Sequence, residues 1–345
     1  MKPTVSRHAS LVWQLTLMYV SVLLVTLAAI EWWGEKNWLL SVLLYVPPQV
    51  WLLPLALLLP AGIGWQPRAC IVHVGCIVFV LIIFMHVRWH GKPERRPEML
   101  TLVTNNVGQA NRLSFDPFLK EQDPDFLMLQ ETGNRAYWSR RYPDRFVATQ
   151  GEFVVVSKYP VRSATPVNEA KWLGTPVAAR FEFSFQGRPV VIYNIHLPTP
   201  RPDFAKLRGA GLIKEVLGRN RRRSDGRSYS ESMAARVELA KNLCDAIAAE
   251  KLPFLIAGDF NAPDRGFIYH LFAARFTDAF AKSGRGWGLT FPGFTHNPLT
   301  GFGPWMRLDQ LFAGKGWEPV YSQAEPRRRS QHRAMMAVFR PVEKS

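Results

Sequence analysis

Cysteine is nearly absent: there are three in 345 residues, Cys70 and Cys76 inside an apolar run and Cys244 alone further on. That excludes a disulfide framework or a thiolate zinc site as the basis of the fold, and it leaves the redox compartment open. Charge is missing from three long stretches near the N-terminus. Residues 11–30, 39–63 and 71–87 contain no Asp, Glu, Lys or Arg, and each approaches the ~20 apolar residues a helix needs to cross the hydrocarbon core. A cleaved signal peptide accounts for one such run but not for three. The expectation is a transmembrane region over residues 1–90 with two to three helices. Acidic residues are also scarce: 27 Asp/Glu stand against 43 Lys/Arg, and 23 of the acidic and 35 of the basic residues lie beyond residue 98. A basic surface of this kind draws nucleic acid, anionic lipid or phosphorylated metabolites, but it specifies neither fold nor chemistry.

Trp32, Trp33, Trp38, Trp65 and Trp89 stand at or near the ends of the apolar runs, where an amphipathic indole prefers the headgroup region. The middle run contains Pro47, Pro48, Pro54 and Pro60, so it is expected to be kinked or broken, as a span or a re-entrant hairpin. The implied location is the cell membrane, multi-pass, of the bacterial inner-membrane kind, with the bilayer as a partner. Its sidedness stays open. Lys2 and Arg7 precede the first run and Arg88, Lys92, Arg95 and Arg96 follow the last, and three crossings put these two basic flanks on opposite sides.

Residues 91–98 are charged and proline-flanked, which suits a linker, and a new domain is expected over residues 99–345. Short β-rich runs predict strands at residues 100–104, 126–129, 153–157, 177–183, 189–195 and 254–257. Met233, Val237, Ala240, Cys244 and Ile247 recur at helical spacing, and Ser228 with Glu231 has the spacing of a capping box. Between His196 and this helix lies a basic stretch that includes Arg221, Arg222 and Arg223. It reads either as a solvated loop or as an arm that grips substrate phosphates.

Polar residues gather where strands should end. Asn105-Asn106 follows one run, Gln130-Glu131 ends a second, Asn194-Ile195-His196 a third and Gly258-Asp259-Phe260-Asn261 a fourth; Arg307-Leu308-Asp309 and Ser330-Gln331-His332 come later. Each patch is weak alone. In this order and at these spacings they resemble the endonuclease/exonuclease/phosphatase family across essentially all of residues 99–342. The resemblance implies an α/β four-layer sandwich, two central mixed β-sheets flanked by helices, with the site where strand ends and loops converge.

The residue types suit such chemistry. Glu131 offers a hard oxygen and Asn106 a neutral amide contact, a pairing suited to Mg²⁺ or Mn²⁺. By resemblance, Asp259 orients or deprotonates the attacking water, Asn261 donates to phosphoryl oxygens, and His332, held by Asp309, contacts the scissile phosphate. His196 assists the leaving group, and Asn194, two residues earlier, is taken to face the same side and the substrate. One position departs from the pattern: the family commonly carries Asp where this chain has Gln331, and an amide cannot balance cationic charge as a carboxylate does. The expected activity is metal-dependent hydrolysis of a phosphodiester, with nucleic acid the first-choice substrate. The alternatives are a lipid-headgroup phosphodiester, an inositol phosphate, or a membrane-tethered phosphate-binding protein without turnover.

Overall fold

Alternation along the strands decides the layering. A computed structural model describes residues 7–108, 115–217, 226–293, 300–301, 303–326, 328 and 330–342. One sheet runs, in spatial order, through Arg88–Trp89, Gly284–Gly286, Trp317–Ala324, Met335–Pro341, Leu100–Asn106, Phe126–Gln130, Phe153–Ser157 and Phe146–Gln150. The second runs through Thr277–Asp278, Asp309–Ala313, Phe254–Asp259, Arg188–His196, Ala178–Phe185 and Val161–Pro166. Successive side chains on a strand point to opposite faces, and both sheets use this to bury both faces. Leu100, Leu102, Phe126 and Met128 meet Phe181, Phe183, Ile192 and Leu255 in the layer between the sheets. The intervening Leu127 and Leu129 pack outward on Phe118, Leu119 and Trp138. On the far side, Val191, Tyr193 and Ile256 pack on Val237, Ala240, Cys244 and Ile247. The result is the four-layer α/β sandwich expected from the sequence.

Each sheet contains a central parallel pair: Leu100–Asn106 beside Phe126–Gln130, and Arg188–His196 beside Phe254–Asp259. Parallel neighbours end together, so each sheet delivers two C-terminal strand ends to one edge. The helix Tyr229–Ala248 begins as its sequence announces. Ser228 Oγ accepts from the Glu231 amide at 3.1 Å, and Glu231 returns a carboxylate to the Ser228 amide at 2.6 Å. Its apolar face lies against the second sheet and it leads into Phe254–Asp259.

The N-terminal region contains three helical segments long and apolar enough to cross a membrane: Arg7–Lys36, Pro48–Trp65 and Pro67–Phe84. They share an interior of Tyr19, Leu23, Leu27, Ile30, Leu58, Val80 and Phe84, and Thr16 Oγ1 meets His73 Nε2 at 2.9 Å. Val25, Leu57 and Ile71 point outward and are 70–80% exposed, an apolar surface that water does not favour. The middle apolar run is divided. Helix Trp38–Leu44 ends before Pro47-Pro48, whose rings remove amide donors and restrict the preceding residue.

The N-terminal region does not hang on a tether. Glu35 is buried and its carboxylate accepts from the amides of Phe267 and Ile268 at 2.7 and 3.3 Å, capping the helix Gly266–Ala273. Residues 91–98 form no helix or strand, yet Arg88–Trp89 just before them pairs with Gly284–Gly286. Trp32, read from the sequence as a headgroup anchor, stacks on His270 at 5.4 Å.

Candidate active site

The four central strand ends meet at one point. Asn106, His196 and Asp259 are the last residues of their strands, and Glu131 directly follows Phe126–Gln130. Asn106 Nδ2 bridges the sheets, donating to Glu131 Oε1 at 2.9 Å and to Asp259 Oδ2 at 3.0 Å. Its own oxygen accepts from the Gly108 amide at 2.9 Å. Glu131 turns away from its strand with φ +55°, and a Cβ at Gly108 would lie 1.8 Å from Glu131 Oε2. A side chain at position 108 would therefore have to displace this carboxylate.

Asp309 starts a strand antiparallel to Phe254–Asp259 and stands directly opposite Asp259. His332 arrives just before Met335–Pro341; its Nδ1 lies 2.9 Å from Asp309 Oδ2 and its Nε2 lies 3.7 Å from Asp259 Oδ2. Burial alone lowers the basicity of His332, but the Asp309 and Asp259 carboxylates outweigh it and push its pKa up to about 9. Burial raises Asp309, opposed by the His332 charge beside it. His196 Nε2 faces Glu131 and Asp259 at 3.7 and 3.9 Å while its Nδ1 meets Glu152 at 2.9 Å. Its burial lowers its pKa less than the Glu152 hydrogen bond and the surrounding carboxylates raise it.

Two expectations change in detail. Asn261 lies past its strand end at φ +46°, so strand parity no longer aims it outward. Its Nδ2 donates to Leu197 O at 2.8 Å and to Asp259 Oδ2 at 3.3 Å, so both amide protons have partners within the protein. Asn194 does share the His196 side of the strand, but one layer deeper. It is fully buried, donates to Leu129 O at 3.1 Å and accepts from Gln130 Nε2 at 2.6 Å, which makes it a tie between the sheets rather than a substrate contact. Arg221, Arg222 and Arg223 lie outside the described residues.

Four neighbours were not legible beforehand. Glu152, in the turn between Phe146–Gln150 and Phe153–Ser157, orients His196. Phe291 packs its ring 4.8 Å from that of His332. The Arg201 guanidinium sits 5.7 Å from the Phe291 ring and, in the amide orientation that satisfies both groups, within 3.1 and 2.5 Å of Gln331 Oε1. Gly108 completes the set; a glycine two residues after the Asn106 strand end was the one available signal.

The residues fit a divalent cation. Glu131, about one third exposed, presents its carboxylate beside the buried acids Asp259 and Asp309. Among the described residues, Asp309 Oδ1 is a buried oxygen without a hydrogen-bond partner. Asp259 and Asp309 bring buried carboxylate oxygens into one cluster with His332, whose charged ring leaves the oxygens as the donors. Oxygen-rich donor sets of this kind suit hard ions such as Mg²⁺ or Mn²⁺.

Acids and amides ringed around two histidines, at the strand ends of a four-layer sandwich, suit the attack of water on a phosphate ester, and they define a phosphoester hydrolase. The chain belongs to the endonuclease/exonuclease/phosphatase family, whose sequence model matches residues 105–332. None of the curated proteins compared matches it. Similar solved structures include a mannosyl-6-phosphatase of Bacteroides thetaiotaomicron, 15% identical with a TM-score of 0.49, covering 70% of this chain and 99% of that one. Another is D. rerio TDP2 complexed with single-strand DNA product, 15% identical with a TM-score of 0.48, covering 70% and 98%. A third is the Neisseria 3′ phosphatase NExo bound to a product DNA hairpin, 13% identical with a TM-score of 0.45, covering 69% and 98%. Family membership rests on the sequence match.

Proposed function

We propose that this chain is a membrane-embedded phosphodiesterase dependent on a divalent cation, Mg²⁺ or Mn²⁺, that Glu131 would hold; Asn106, expected from the sequence as a second ligand, instead fixes the Glu131 carboxylate through its Nδ2 while its oxygen faces the Gly108 amide. The observation that carries the reading is the meeting of Asn106, Glu131, Asp259, Asp309 and His332 at one edge of the sandwich, joined by contacts of 2.9–3.7 Å. When bound, the cation supplies charge neutralisation at a phosphate oxygen. Asp259, fixed by the Asn261 amide at 2.8 Å and by Asn106, takes the proton of the attacking water. His332 stands as an imidazolium held by Asp309 and stabilises charge on the phosphoryl oxygens. His196, oriented by Glu152, donates a proton to the leaving oxygen. Asn261 acts as a positioning residue for Asp259.

Nucleic acid is the first substrate class because the region beyond residue 98 is so basic. A lipid-headgroup phosphodiester is the second, favoured by one observation. Tyr45, three residues before the candidate span Pro48–Trp65, touches the Asn261 carbonyl at 2.8 Å, which supports a site that works beside a bilayer surface. The test is metal-dependent hydrolysis by the full chain in detergent or nanodiscs, first on a bis-aryl phosphodiester and then on DNA, RNA, sphingomyelin and inositol phosphates. Cleavage of the generic diester that EDTA abolishes and Mg²⁺ or Mn²⁺ restores supports the reading. Inertness towards every substrate with each metal contradicts it.

A further inference from the structure

The Asp259-Phe260-Asn261 turn is gripped from outside the catalytic domain. Asn261 is a non-glycine residue in the left-handed region at φ +46°, a conformation that needs support from its surroundings. Among the described residues, the support on its carbonyl comes from two donors. Arg236 Nη2, from the middle of the helix Tyr229–Ala248, reaches it at 3.0 Å, and the Tyr45 hydroxyl reaches it at 2.8 Å. Tyr45 belongs to the N-terminal region, at the end of helix Trp38–Leu44. That helix is itself fastened to the catalytic domain. Ser41 Oγ lies 2.9 Å from the Tyr229 hydroxyl, Trp305 Nε1 donates to the Tyr45 carbonyl at 3.2 Å, and the Tyr45 ring meets Phe204 edge-on at 5.2 Å. Upstream, Gly34 sits so close that a Cβ there would lie 2.8 Å from the Gly266 Cα.

The same residue that Tyr45 holds also sets the Asp259 carboxylate, since Asn261 donates to it from both its backbone amide and its side chain. We propose that Tyr45 is a positioning residue of the active site, so that turnover requires the hydrophobic N-terminal region docked on the catalytic domain and not merely present as an anchor. This rests on the assignment of Asp259 as the base for water. Loss of the Tyr45 hydroxyl leaves the Asn261 carbonyl with Arg236 alone, loosens the left-handed turn and lets the carboxylate sample unproductive orientations. Substrate contacts are untouched, so the loss falls on kcat and not on KM.

The experiment compares Tyr45→Phe with Tyr19→Phe in the full chain in nanodiscs. Tyr19 donates a hydrogen bond of the same kind to Trp51 O at 3.0 Å within the N-terminal region, away from the site. With the bis-aryl phosphodiester as probe, Tyr45→Phe is expected to lower kcat by about tenfold with KM within about twofold, while Tyr19→Phe leaves kcat in place. Amide hydrogen exchange over residues 258–263 is expected to quicken in Tyr45→Phe and not in Tyr19→Phe. Unchanged exchange or unchanged kcat in Tyr45→Phe, or equal losses in both variants, overturns the proposal. The exchange readout needs no turnover: a wild-type chain without metal-dependent hydrolysis defeats the catalytic reading, while unaltered exchange defeats the role given to Tyr45.

Discussion

His332 Nδ1 lies 2.9 Å from Asp309 Oδ2, a buried contact that keeps the imidazole charged up to about pH 9. Because the folded pKa is raised above the unfolded value of about 6.5, the stability this pair contributes is fully present below about pH 6.5 and is lost as pH rises through the folded value. If catalysis uses the imidazolium, kcat falls with the same alkaline limb. Asp309→Asn removes the closest carboxylate, so that limb is expected to move down by about one pH unit or more. A kcat–pH profile checks this; an unmoved limb separates His332 from the titration.

Gly108 and Glu131 give a prediction about metal affinity. A Cβ at position 108 meets Glu131 Oε2 at 1.8 Å, so Gly108→Ala must displace the carboxylate. The midpoint of Mg²⁺ or Mn²⁺ activation is expected to rise about tenfold. Glu131→Gln is expected to raise it at least as far, with little change in melting temperature because the side chain is about one third exposed. Metal titrations of activity and thermal melts measure both.

The sheets were legible in the sequence because apolar alternation and β-branched runs set them. The site was legible because its residues cluster at C-terminal strand ends, where Asn106, Glu131, His196 and Asp259 could be read off short motifs. Cross-chain partners were not. Glu152 and Arg201 carry no local signature, and only the folded register brings them to His196 and Gln331. The inward turn of Asn261 depends on a positive φ that the Gly258-Asp259-Phe260-Asn261 motif does not announce. Glu35 and Tyr45 resemble ordinary interfacial residues until the helix they cap and the carbonyl they hold are in view.

Gln331 faces Arg201 with a neutral amide. Gln331→Asp would turn this contact into a carboxylate–guanidinium pair and withdraw positive charge from the neighbourhood of His332. KM for a polyanionic substrate is expected to rise several-fold, while the metal-activation midpoint stays where it is. A lowered midpoint would instead place position 331 among the metal's partners.

Arg307 is 1% exposed and forks onto Asp278 at 2.9 and 2.6 Å, with Asp264 at 3.3 Å and His86 beyond it at 3.2 Å. Removing one partner strands buried charge, so Arg307→Ala is expected to cost about 3–5 kcal/mol. Chemical denaturation of the full chain measures the loss; a change below about 1 kcal/mol would show that water reaches the network.

The basic stretch can be tested by salt alone. Replacing Arg221, Arg222 and Arg223 with Ala is expected to weaken binding of a single-stranded oligonucleotide and to flatten the dependence of log Kd on log salt. An unchanged slope would assign the stretch to solvent.

We propose that this chain hydrolyses phosphodiesters with a divalent cation and Asp259 as the base for water. The most direct test is the initial rate of bis-aryl phosphodiester hydrolysis by the full chain against Mg²⁺ and Mn²⁺ concentration, run beside Asp259→Asn. Saturable metal activation is expected in the wild type and, in the variant, a kcat reduced by about 10²-fold or more at saturating metal. Metal-independent turnover, or near-wild-type kcat in Asp259→Asn, would contradict it.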